Sequence, residues 1–414
     1  MKSYFKVESL ASLSDYLQFF ELLPLESEKK IEYIDLFDSC GRIIAEDIFA
    51  GQDIPGFRRS TMDGFAIKSE DSFGASESSP LLFNIIGSVK MGEKSDFSVN
   101  SGEAVRIGTG GMLPHGTDSV VMLEFTESIG DDEVTIFKPA APGTNTVNKN
   151  DDFSGGDKIL EKGSKITSKS IGLLAVAGRN IVPVYRKPSI GIISTGDELV
   201  SVDQSLSQGQ IRDINRYTLT SLAIENGANP YFYGILKDVK ELLTEAVLNA
   251  LNSSDMVIIS GGSSVGMRDV TIEAIESIDD SEILFHGVSM SPGKPVILGR
   301  VGSKPVFGLP GHPVSCFVVF LMVVNRFLNY IGGQSFVANS RVVYGKSVTN
   351  IYSEQGRTDF VRVRLEYKNL EIIAHPILGE SGLIRTLGHA DGLLEIAASK
   401  EGLVKGEMAL IHLL

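Results

Sequence analysis

The stretch that decides the fold lies at residues 255–269 and has the sequence DMVIISGGSSVGMRD. Residues 256–259 form an apolar, β-branched run of the length typical of a buried parallel strand. The run ends at Ser260 in a glycine-rich loop, and a segment with helical spacing of apolar residues begins at Val270. A strand, a glycine loop and a helix start, in this order, bring bare backbone N–H groups together around an anion. The stretch therefore predicts an α/β unit with an anion cradle at the end of its strand.

A second stretch, IGIISTGDEL at residues 190–199, repeats this layout with acidic residues in the loop. Strand patterns fit residues 189–194, 231–236, 256–260, 283–286 and 305–308, and helical patterns fit 215–226, 239–251 and 314–331. Alternating strands and helices predict a doubly wound, mostly parallel sheet. Because ligands bind at the carboxyl ends of the strands in such sheets, we expect the two loops to meet at one edge.

The sequence also predicts two helix starts and the secondary structure of the rest of the chain. Asp238 and Glu241 have capping-box spacing, and Pro313 suits a first helical position. Residues 1–50 show mainly helical spacing, and residues 139–187 begin with a linker-like segment. Short apolar runs between Gly, Pro and Asp clusters predict strands at 80–138 and again at 334–414.

The composition limits the class of protein. The 414 residues contain 38 Lys and Arg against 52 Asp and Glu, a net charge of −14, which argues against a nucleic-acid partner or an anionic membrane. The N-terminus lacks the apolar core of a signal peptide. Residues 314–324 are too short before their first charge to span a bilayer, so we expect a buried core helix. Cys40 and Cys316 indicate neither a disulfide framework nor a metal cluster, which favours the reducing cytoplasm.

Acidic and polar residues in six loops are candidates for chemistry. They are Asp63 in STMDG, Thr109 in GTGG, Asp152 in NDDF, Asp197 and Glu198 in TGDEL, Asp213 in IRDIN, and Asp269 after GGSSVG. Taken singly, a turn aspartate is usually a cap, and a glycine loop is often only a tight turn. Carboxylates beside a phosphate cradle would repel the ligand unless a hard cation such as Mg²⁺ lies between them. Together the loops therefore predict a phosphate site that uses a divalent cation.

Two more loops offer contacts to an anion. Lys294 in SPGKP carries a positive charge in a Pro-Gly turn, although a solvated loop lysine is an equally good interpretation. The loop GLPGHP at 308–313 precedes the apolar helix, whose N-terminal dipole favours anions. His312 in this loop is a candidate acid or base, but a histidine in a Pro-Gly turn is more often incidental. We find no Ser-His-Asp or Cys-His constellation and no metal-ligand spacing among the six histidines.

In their collinear order these motifs resemble those of the molybdopterin molybdenumtransferases (the MoeA family), molybdenum-insertion enzymes related to the E domain of gephyrin. The resemblance covers nearly the whole chain. Its anchors are PGFRRSTMDGFAI (55–67), RIGTGGMLPHGTDSVVMLE (106–124), GIISTGDEL (191–199), GQIRDINR (209–216), VIISGGSSVGMRD (257–269), PGKP (292–295), GLPGHPVS (308–315) and, more weakly, GESGLIRTLGHADGLLEI (379–396).

The resemblance implies an activity and its reagents. The family takes adenylylated molybdopterin and molybdate, hydrolyses the adenylate in a Mg²⁺-dependent step that releases AMP, and inserts molybdenum into the dithiolene. A molybdopterin adenylyltransferase would act upstream, and the protein would be cytoplasmic.

The resemblance also implies an elongated homodimer whose active site is shared between subunits. Its four domains would be an N-terminal linker and dimerisation domain (1–50 and 139–187), a β-rich inserted domain (51–138), a molybdopterin-binding α/β domain (188–333) and a small β-barrel-like C-terminal domain (334–414). Asp63 would come from the second subunit.

Residue roles follow from the matching motif positions. The implied catalytic residues are Asp63, Thr109, Asp152, Glu198 and Asp269. The implied substrate-binding residues are Ser260, Gly261, Gly262, Ser264, Gly266, Asp213, Lys294, Pro310 and Pro313. Glu198, Asp213 and Asp269 would hold the Mg²⁺.

The chain departs from the family pattern at three places. Residues 148–151 (NKND) stand where a basic stretch is common, Ser291 replaces a frequent lysine, and His312 replaces the usual asparagine. Fewer positive charges in the oxyanion cleft leave tungstate open as an alternative to molybdate. A pterin adenylyltransferase that shares only the α/β domain is a second alternative, which the motifs at 55–124 argue against. A scaffold or binding protein on the same fold is a third, and the intact carboxylate set favours catalysis over it.

Overall fold

The computed structural model describes residues 30–261, 270–335 and 341–414. Its first part contains β1 (Ile31–Asp35), β2 (Ile48–Phe49), β3 (Arg59–Ser60), β4 (Gly64–Ile67), β5 (Leu81–Val89), β6 (Glu103–Ile107), β7 (Ser119–Met122), β8 (Thr126–Ile129), β9 (Glu133–Ile136), β10 (Thr146–Val147), β11 (Lys158–Leu160), α1 (Ser168–Val176) and β12 (Ile181–Tyr185). Short 3₁₀ turns lie at Leu36–Asp38, Ser69–Ser72 and Leu123–Phe125. Six of these strands form one sheet in the order β7-β4-β6-β5-β9-β8, and two separate apolar clusters pack against it.

The helix expected over most of residues 1–50 is wrong for residues 31–40, which form β1 and a 3₁₀ turn, whereas the extended segment expected after residues 41–45 contains β2; residues 1–29 lie outside the described ranges. Strand β1 pairs antiparallel with β12, and its burial alternates with the period of two of a strand. Ile34 packs against the core around Ile44, Leu174 and Val182. The partner strand lies about 150 residues away along the chain, so tertiary pairing decides this segment.

The α/β part has the strands β13 (Ser189–Thr195), β14 (Leu199–Val200), β15 (Ile211–Arg212), β16 (Asn229–Leu236), β17 (Met256–Ser260), β18 (Ser281–His286), β19 (Met290–Ser291), β20 (Ile297–Val301) and β21 (Lys304–Leu309). Its helices are α2 (Asn215–Glu225), α3 (Lys240–Ser253), α4 (Val270–Glu276), α5 (Pro313–Val319), a π-helical turn at Phe320–Val324 and α6 (Asn325–Ile331). The main sheet has the order β16-β13-β17-β21-β20-β18. Its first four strands are parallel, and β20 runs antiparallel to both of its neighbours, β21 and β18.

The sheet is covered on both faces, which confirms the predicted doubly wound fold. Every residue of β13 and β17 is buried, and this explains their unbroken apolar runs. Ile190 and Ile258 face the core that α2, α5 and α6 share, whereas Ile193 and Ile259 face the core under α3 and α4. The sequence pattern does not predict strand β20, because ILGRV combines a glycine and a charged residue with a short apolar run.

The strand order reverses between β13 and β17. From β13 the chain crosses through α2 to β16 on one side, and it then crosses through α3 to β17 on the other side. The crevice at the carboxyl ends of β13 and β17 is therefore the topological switch point, where doubly wound sheets bind their ligands.

The apolar helical segment Pro313–Ile331 lies in the protein core, as predicted. Within the described ranges it is the one helix long and apolar enough to cross a membrane, but 67% of its most apolar window is buried inside the protein. Pro313 is its first residue. The Phe327 ring packs edge to face against Phe307 with ring centroids 5.1 Å apart, and both side chains are fully buried.

The capping box predicted at Asp238 and Glu241 is wrong. The residue before α3 is Val239, and no side chain caps the helix. The Thr195 hydroxyl instead donates a hydrogen bond of 2.6 Å to Asp238 Oδ1, so this carboxylate ties the end of β13 to the residues after β16. A tertiary hydrogen bond has replaced the local one.

The C-terminal part contains β22 (Val342–Ser347), β23 (Ile351–Tyr352), β24 (Thr358–Lys368), β25 (Glu371–Pro376), α7 (Arg385–Gly388), β26 (Gly392–Ile396), β27 (Gly402–Leu403) and β28 (Met408–Leu413). Strands pair in the order β24-β25-β22-β28-β26, and a further β24–β26 pairing closes them into a small barrel, as predicted. Strand β19 of the α/β part pairs with β24, so the barrel is joined to the main domain. The boundaries proposed for the four domains stay a prediction.

Replacing Phe327 by alanine tests the core position of the apolar helix. Because the ring is fully buried, Phe327→Ala should lower the free energy of unfolding by about 3–5 kcal/mol. Phe73→Ala is the matched control, since its ring is 58% exposed, and it should change stability by less than about 1 kcal/mol. Urea unfolding followed by circular dichroism measures both; equal stabilities of the two variants would contradict the core assignment.

Candidate functional site

The ends of β13 and β17 approach each other so closely that no side chain fits between them. Gly261 follows β17 with a φ of +112°, and a Cβ there would overlap the carbonyl oxygen of Thr195. Its N–H donates to the carbonyl oxygen of Leu309 at the end of β21 (3.1 Å). Glycine is required here by both backbone angle and space. The predicted cradle residue Gly261 therefore lies in the crevice at the switch point.

Asn215 connects three elements of the crevice through hydrogen bonds. Its Nδ2 donates to Ser260 Oγ (2.7 Å) and to the carbonyl oxygen of Gly311 (2.8 Å). The first residue of α2 thus holds both the end of β17 and the loop 308–313. The sequence analysis did not select Asn215; its signal was an amide side chain two residues after Asp213, within the quoted motif GQIRDINR.

Asp213 is buried, with 2% of its surface exposed, and only one of its carboxylate oxygens has a hydrogen-bond partner in the described parts of the chain. Oδ1 accepts from the Arg216 N–H (3.1 Å), whereas Oδ2 has no donor there. Burying a carboxylate oxygen without a partner is costly unless something else satisfies it. A hard cation would do so, and the unpaired Oδ2 is therefore the observation that fits Mg²⁺ at this position.

A short parallel pairing joins the segments that carry Glu198 and Asp213: Glu198 precedes β14, and Asp213 follows β15 at the other end of the pairing. Strands β14 and β15 pair, and the Ile211 N–H donates to the Glu198 carbonyl oxygen (2.9 Å). The Glu198 carboxylate folds back over Gly196: a Cβ at Gly196 would lie 3.0 Å from Oε2. Glu198 is exposed, so its carboxylate is accessible to a ligand from solution.

The predicted metal set is brought together only in part. Glu198 and Asp213 flank the paired strands β14 and β15 at opposite ends, whereas Asp269 lies outside the described residues, as do the cradle residues Gly262, Ser264 and Gly266. In the ranges 30–261, 270–335 and 341–414, no group of three or more His, Cys, Asp or Glu side chains is placed to hold a metal ion. A complete magnesium site would therefore need Asp269 or oxygen atoms of the substrate.

The thiol closest to the crevice is inert. Cys316 Sγ lies 3.9 Å from Ser260 Oγ, and burial raises the pKa of the thiol to about 12. The hydrogen bond to the Ser260 hydroxyl lowers this pKa by less than burial raises it, and the negative charge of Asp213 adds a still smaller increase. A neutral thiol is neither a nucleophile nor a metal ligand at neutral pH, which agrees with the absence of a predicted cysteine role.

Asp63 and Thr109 form a second polar pair in the β-rich sheet. Asp63 Oδ1 accepts from the Thr109 N–H (2.7 Å) and from its hydroxyl (3.0 Å). These two hydrogen bonds, the backbone one first, lower the pKa of Asp63 below its usual 3.8. The exposed carboxylate is thus held in one position in its charged form.

Asp152 is exposed on the segment that returns from the β-rich sheet. The single positive charge before it, Lys149, forms an ion pair with Asp53 (2.8 Å) and lowers the pKa of that carboxyl. In the described residues, no hydrogen bond or ion pair connects Asp63, Thr109 or Asp152 to the switch point.

A cavity of about 630 Å³ lies between the α/β domain and the C-terminal barrel. It contains two predicted substrate residues, Lys294 and Pro310, while Pro313 is buried at the adjacent helix start. Polar residues that the sequence analysis did not select also line it: Ser289, Ser315, Glu354, Arg357, Asp359, Arg362 and Ser381. Residues from such distant parts of the chain form one cavity only because the barrel docks at β19.

Two arginines determine the charge of the cavity wall. Arg357 is shared by Glu354 (2.7 Å) and Asp359 (2.8 Å). Arg362 is 8% exposed, and its hydrogen bonds go to the main-chain oxygens of Gly379 (2.6 Å) and Ile377. Burial lowers the pKa of Arg362, yet a guanidinium stays charged in proteins, so the wall keeps a positive charge that suits an anion.

Comparison with known proteins identifies the family. Three family models cover most of the chain in order: the MoeA N-terminal region (domains I and II) at residues 9–178, a probable molybdopterin binding domain at 191–330, and the MoeA C-terminal region (domain IV) at 345–414. A putative molybdopterin biosynthesis protein of Methanocaldococcus jannaschii is 37% identical over 398 residues, 94% of each chain. The chain belongs to the MoeA family.

Other MoeA relatives agree with this assignment. The molybdopterin molybdenumtransferase of Bacillus subtilis is 31% identical over 94% of this chain and 91% of its own. A crystal structure of the MoeA protein of molybdopterin biosynthesis from Pyrococcus horikoshii matches with a TM-score of 0.80 and 37% identity, covering 98% of this chain and 99% of that one. The predictions of the family, of the fold class and of a transferase are therefore confirmed.

All three MoeA regions contribute candidate residues. Asp63, Thr109 and Asp152 lie in the first, Glu198, Asp213 and Lys294 in the second, and the two cavity arginines in the third. The roles assigned to the individual residues stay predictions.

Replacing Gly261 by alanine tests the close approach at the switch point. The added Cβ meets a carbonyl oxygen at a positive φ, so Gly261→Ala should cost roughly 2–4 kcal/mol of folding stability. Gly172→Ala is the control, because nothing lies within 4 Å of its Cβ inside α1, and it should stabilise by about 0.5–1 kcal/mol. Urea midpoints measure both; an unchanged midpoint for Gly261→Ala would show that the strand ends can separate freely.

Proposed function

We propose that this protein inserts molybdenum from molybdate into adenylylated molybdopterin in the cytoplasm, with Mg²⁺-dependent release of AMP. Family membership supports the broader assignment to molybdenum cofactor biosynthesis, since curated relatives with 31–34% identity are named molybdopterin molybdenumtransferase. The observation that carries the finer proposal is the buried Asp213 Oδ2, a carboxylate oxygen without a hydrogen-bond donor among the described residues, two positions before the Asn215 that holds the end of β17.

The crevice supplies the contacts for the pterin phosphate. Ser260 and Gly261 end β17, and Asn215 holds both that end and the loop 308–313 in place. Free backbone N–H groups after such a strand end bind phosphate without introducing a positive side chain. The Gly261 N–H is bonded to the Leu309 carbonyl oxygen, so the predicted cradle residues Gly262, Ser264 and Gly266 would supply these groups.

Glu198 and Asp213, with Asp269 as the third predicted ligand, would hold the Mg²⁺. Bound there, the ion would neutralise negative charge on the phosphate oxygens during hydrolysis. The protein's part is to keep two carboxylates next to the phosphate cradle: the β14–β15 pairing fixes their backbones, and the Arg216 N–H fixes Asp213 Oδ1. Water attacks the phosphoanhydride and AMP leaves.

The cavity beside the barrel supplies a place for the oxyanion. Lys294 and the buried Arg362 line it, and its size of about 630 Å³ exceeds that of a tetrahedral oxyanion. It adjoins the crevice through the loop 308–313: the Gly311 carbonyl oxygen faces Asn215 of the crevice, and Pro310 lines the cavity. Molybdate held here would therefore lie close to the pterin.

The Asp63–Thr109 pair completes the proposed active site from a second subunit. The pair is exposed, its carboxylate is fixed by two hydrogen bonds, and within the described residues it has no polar contact with the switch point of its own chain. A homodimer in which the β-rich sheet of one subunit faces the crevice of the other would use this prearranged charge. A molybdopterin adenylyltransferase would provide the adenylylated substrate.

Replacing Glu198 by glutamine tests the cation-binding role. The substitution keeps the shape and removes the charge, so AMP release should slow by about a hundredfold or more while the fold is retained. Glu225→Gln is the matched control, because Glu225 is also exposed but ends α2 at the opposite edge of the sheet. AMP release is followed with adenylylated molybdopterin, Mg²⁺ and either molybdate or tungstate. No release by the wild type with either oxyanion would refute the enzyme proposal, whereas a wild-type rate for Glu198→Gln would refute only the role of this residue.

Mixing two inactive variants tests the shared active site. Asp63→Asn and Glu198→Gln should each be inactive alone. After mixing by reversible denaturation, mixed dimers contain one site with both native residues, so roughly a quarter of the wild-type activity should return if subunits pair at random. If activity does not return although mixed dimers form, Asp63 does not act across the subunit interface.

A further inference from the structure

His312 and Ser381 join the two walls of the interdomain cavity. His312 Nδ1 lies 2.9 Å from Ser381 Oγ, and the Val314 N–H donates to the Ser381 carbonyl oxygen (3.1 Å). The two bonds attach the segment after β25 to the start of the apolar helix. Both side chains also line the cavity, so this attachment is part of the cavity wall and not a remote tether.

The pair leaves one proton for a ligand in either tautomer of a neutral imidazole. If Nδ1 carries the proton, it donates to Ser381 Oγ, and the serine hydroxyl is then able to donate to the cavity. If the serine donates to Nδ1, the imidazole proton is on Nε2, which has no hydrogen-bond partner among the residues the structure describes. The histidine thus makes the pair a hydrogen-bond donor toward an anion in both cases.

Neutral hydrogen-bond donors matter because the charged side chains of the cavity are partly paired with each other. Arg357 is held by Glu354 and Asp359, and Arg362 donates to main-chain oxygens. The two carboxylates also repel an anion. Neutral donors where the two walls meet add a contact to an anion that these carboxylates do not neutralise, and the His312–Ser381 pair is such a contact.

We propose that His312 is a positioning residue for the oxyanion in this cavity: it holds Ser381 at the wall and directs one proton of the pair to the ligand. The inference rests on the proposed function, because it takes the ligand to be molybdate. A mere tether between the domains would affect stability and would leave the dependence on molybdate unchanged.

The test is the molybdate dependence of AMP release. His312→Ala and Ser381→Ala should each raise the KM for molybdate about tenfold, with kcat changed by less than about twofold, since a contact to the bound anion is lost. The double variant should show little more than either single variant, because the two side chains act as one unit. Additive effects, or an unchanged KM for His312→Ala, would overturn the proposal.

Two further variants separate positioning from structure. His312→Asn keeps a hydrogen-bonding group near the place of Nδ1, and it should return the KM to within about threefold of the wild type. His375→Ala is the matched control: its Nε2 also makes a 2.9 Å contact, to Glu366 of the same barrel, but outside the cavity. It should leave the KM unchanged. A KM as high for His312→Asn as for His312→Ala would contradict the role of Ser381.

Direct binding distinguishes failure of this inference from failure of the proposed function. Calorimetric titration of the full-length protein with molybdate alone, without pterin, should give a dissociation constant about tenfold higher for His312→Ala than for the wild type. If the wild type releases no AMP but the two proteins differ in this way, the function is wrong and the anion contact stands. Equal dissociation constants would overturn the inference even with an active enzyme.

Discussion

The close contact between Gly261 and the Thr195 carbonyl is the constraint on which the site depends. Because no side chain separates the ends of β13 and β17, the loops after both strands begin from nearly the same place. The Thr195 hydroxyl bonds Asp238, and Asn215 bonds Ser260 and the Gly311 carbonyl oxygen, so four strand ends are fixed around one crevice. Buried hydrogen bonds of this kind set positions within fractions of an ångström, as a site for a charged ligand requires.

The sequence predicts those features that arise from burial and from short-range backbone chemistry. Unbroken apolar runs indicate strands that are buried on both faces, and β13 and β17 have this property along their whole length. Pro313 marks the start of the apolar helix for an equally local reason. Asp63 and Thr109 were named from separate turns, and the structure joins them by two hydrogen bonds.

The features that the sequence does not predict depend on contacts between distant parts of the chain. Strand β1 forms by pairing with β12, and Asp238 accepts a hydrogen bond from Thr195 and does not cap helix α3. The cavity residue Arg362 lies in a region whose strand pattern gives no sign of a site, because it becomes a wall residue only after the barrel docks. Periodicity reports which face of an element is buried, and it does not report what covers that face.

The loop 308–313 is bonded to Asn215 on one side and, through His312, to the barrel segment at Ser381 on the other. A six-residue stretch therefore lies between two compartments, the crevice and the interdomain cavity. Two negatively charged reagents would repel each other in a single open cleft, where Coulomb repulsion is felt over several ångströms. A partition of one backbone thickness allows each reagent to be neutralised by its own surroundings before they meet. A change that shifts this loop would then alter both compartments together, so their ligand affinities would be thermodynamically linked.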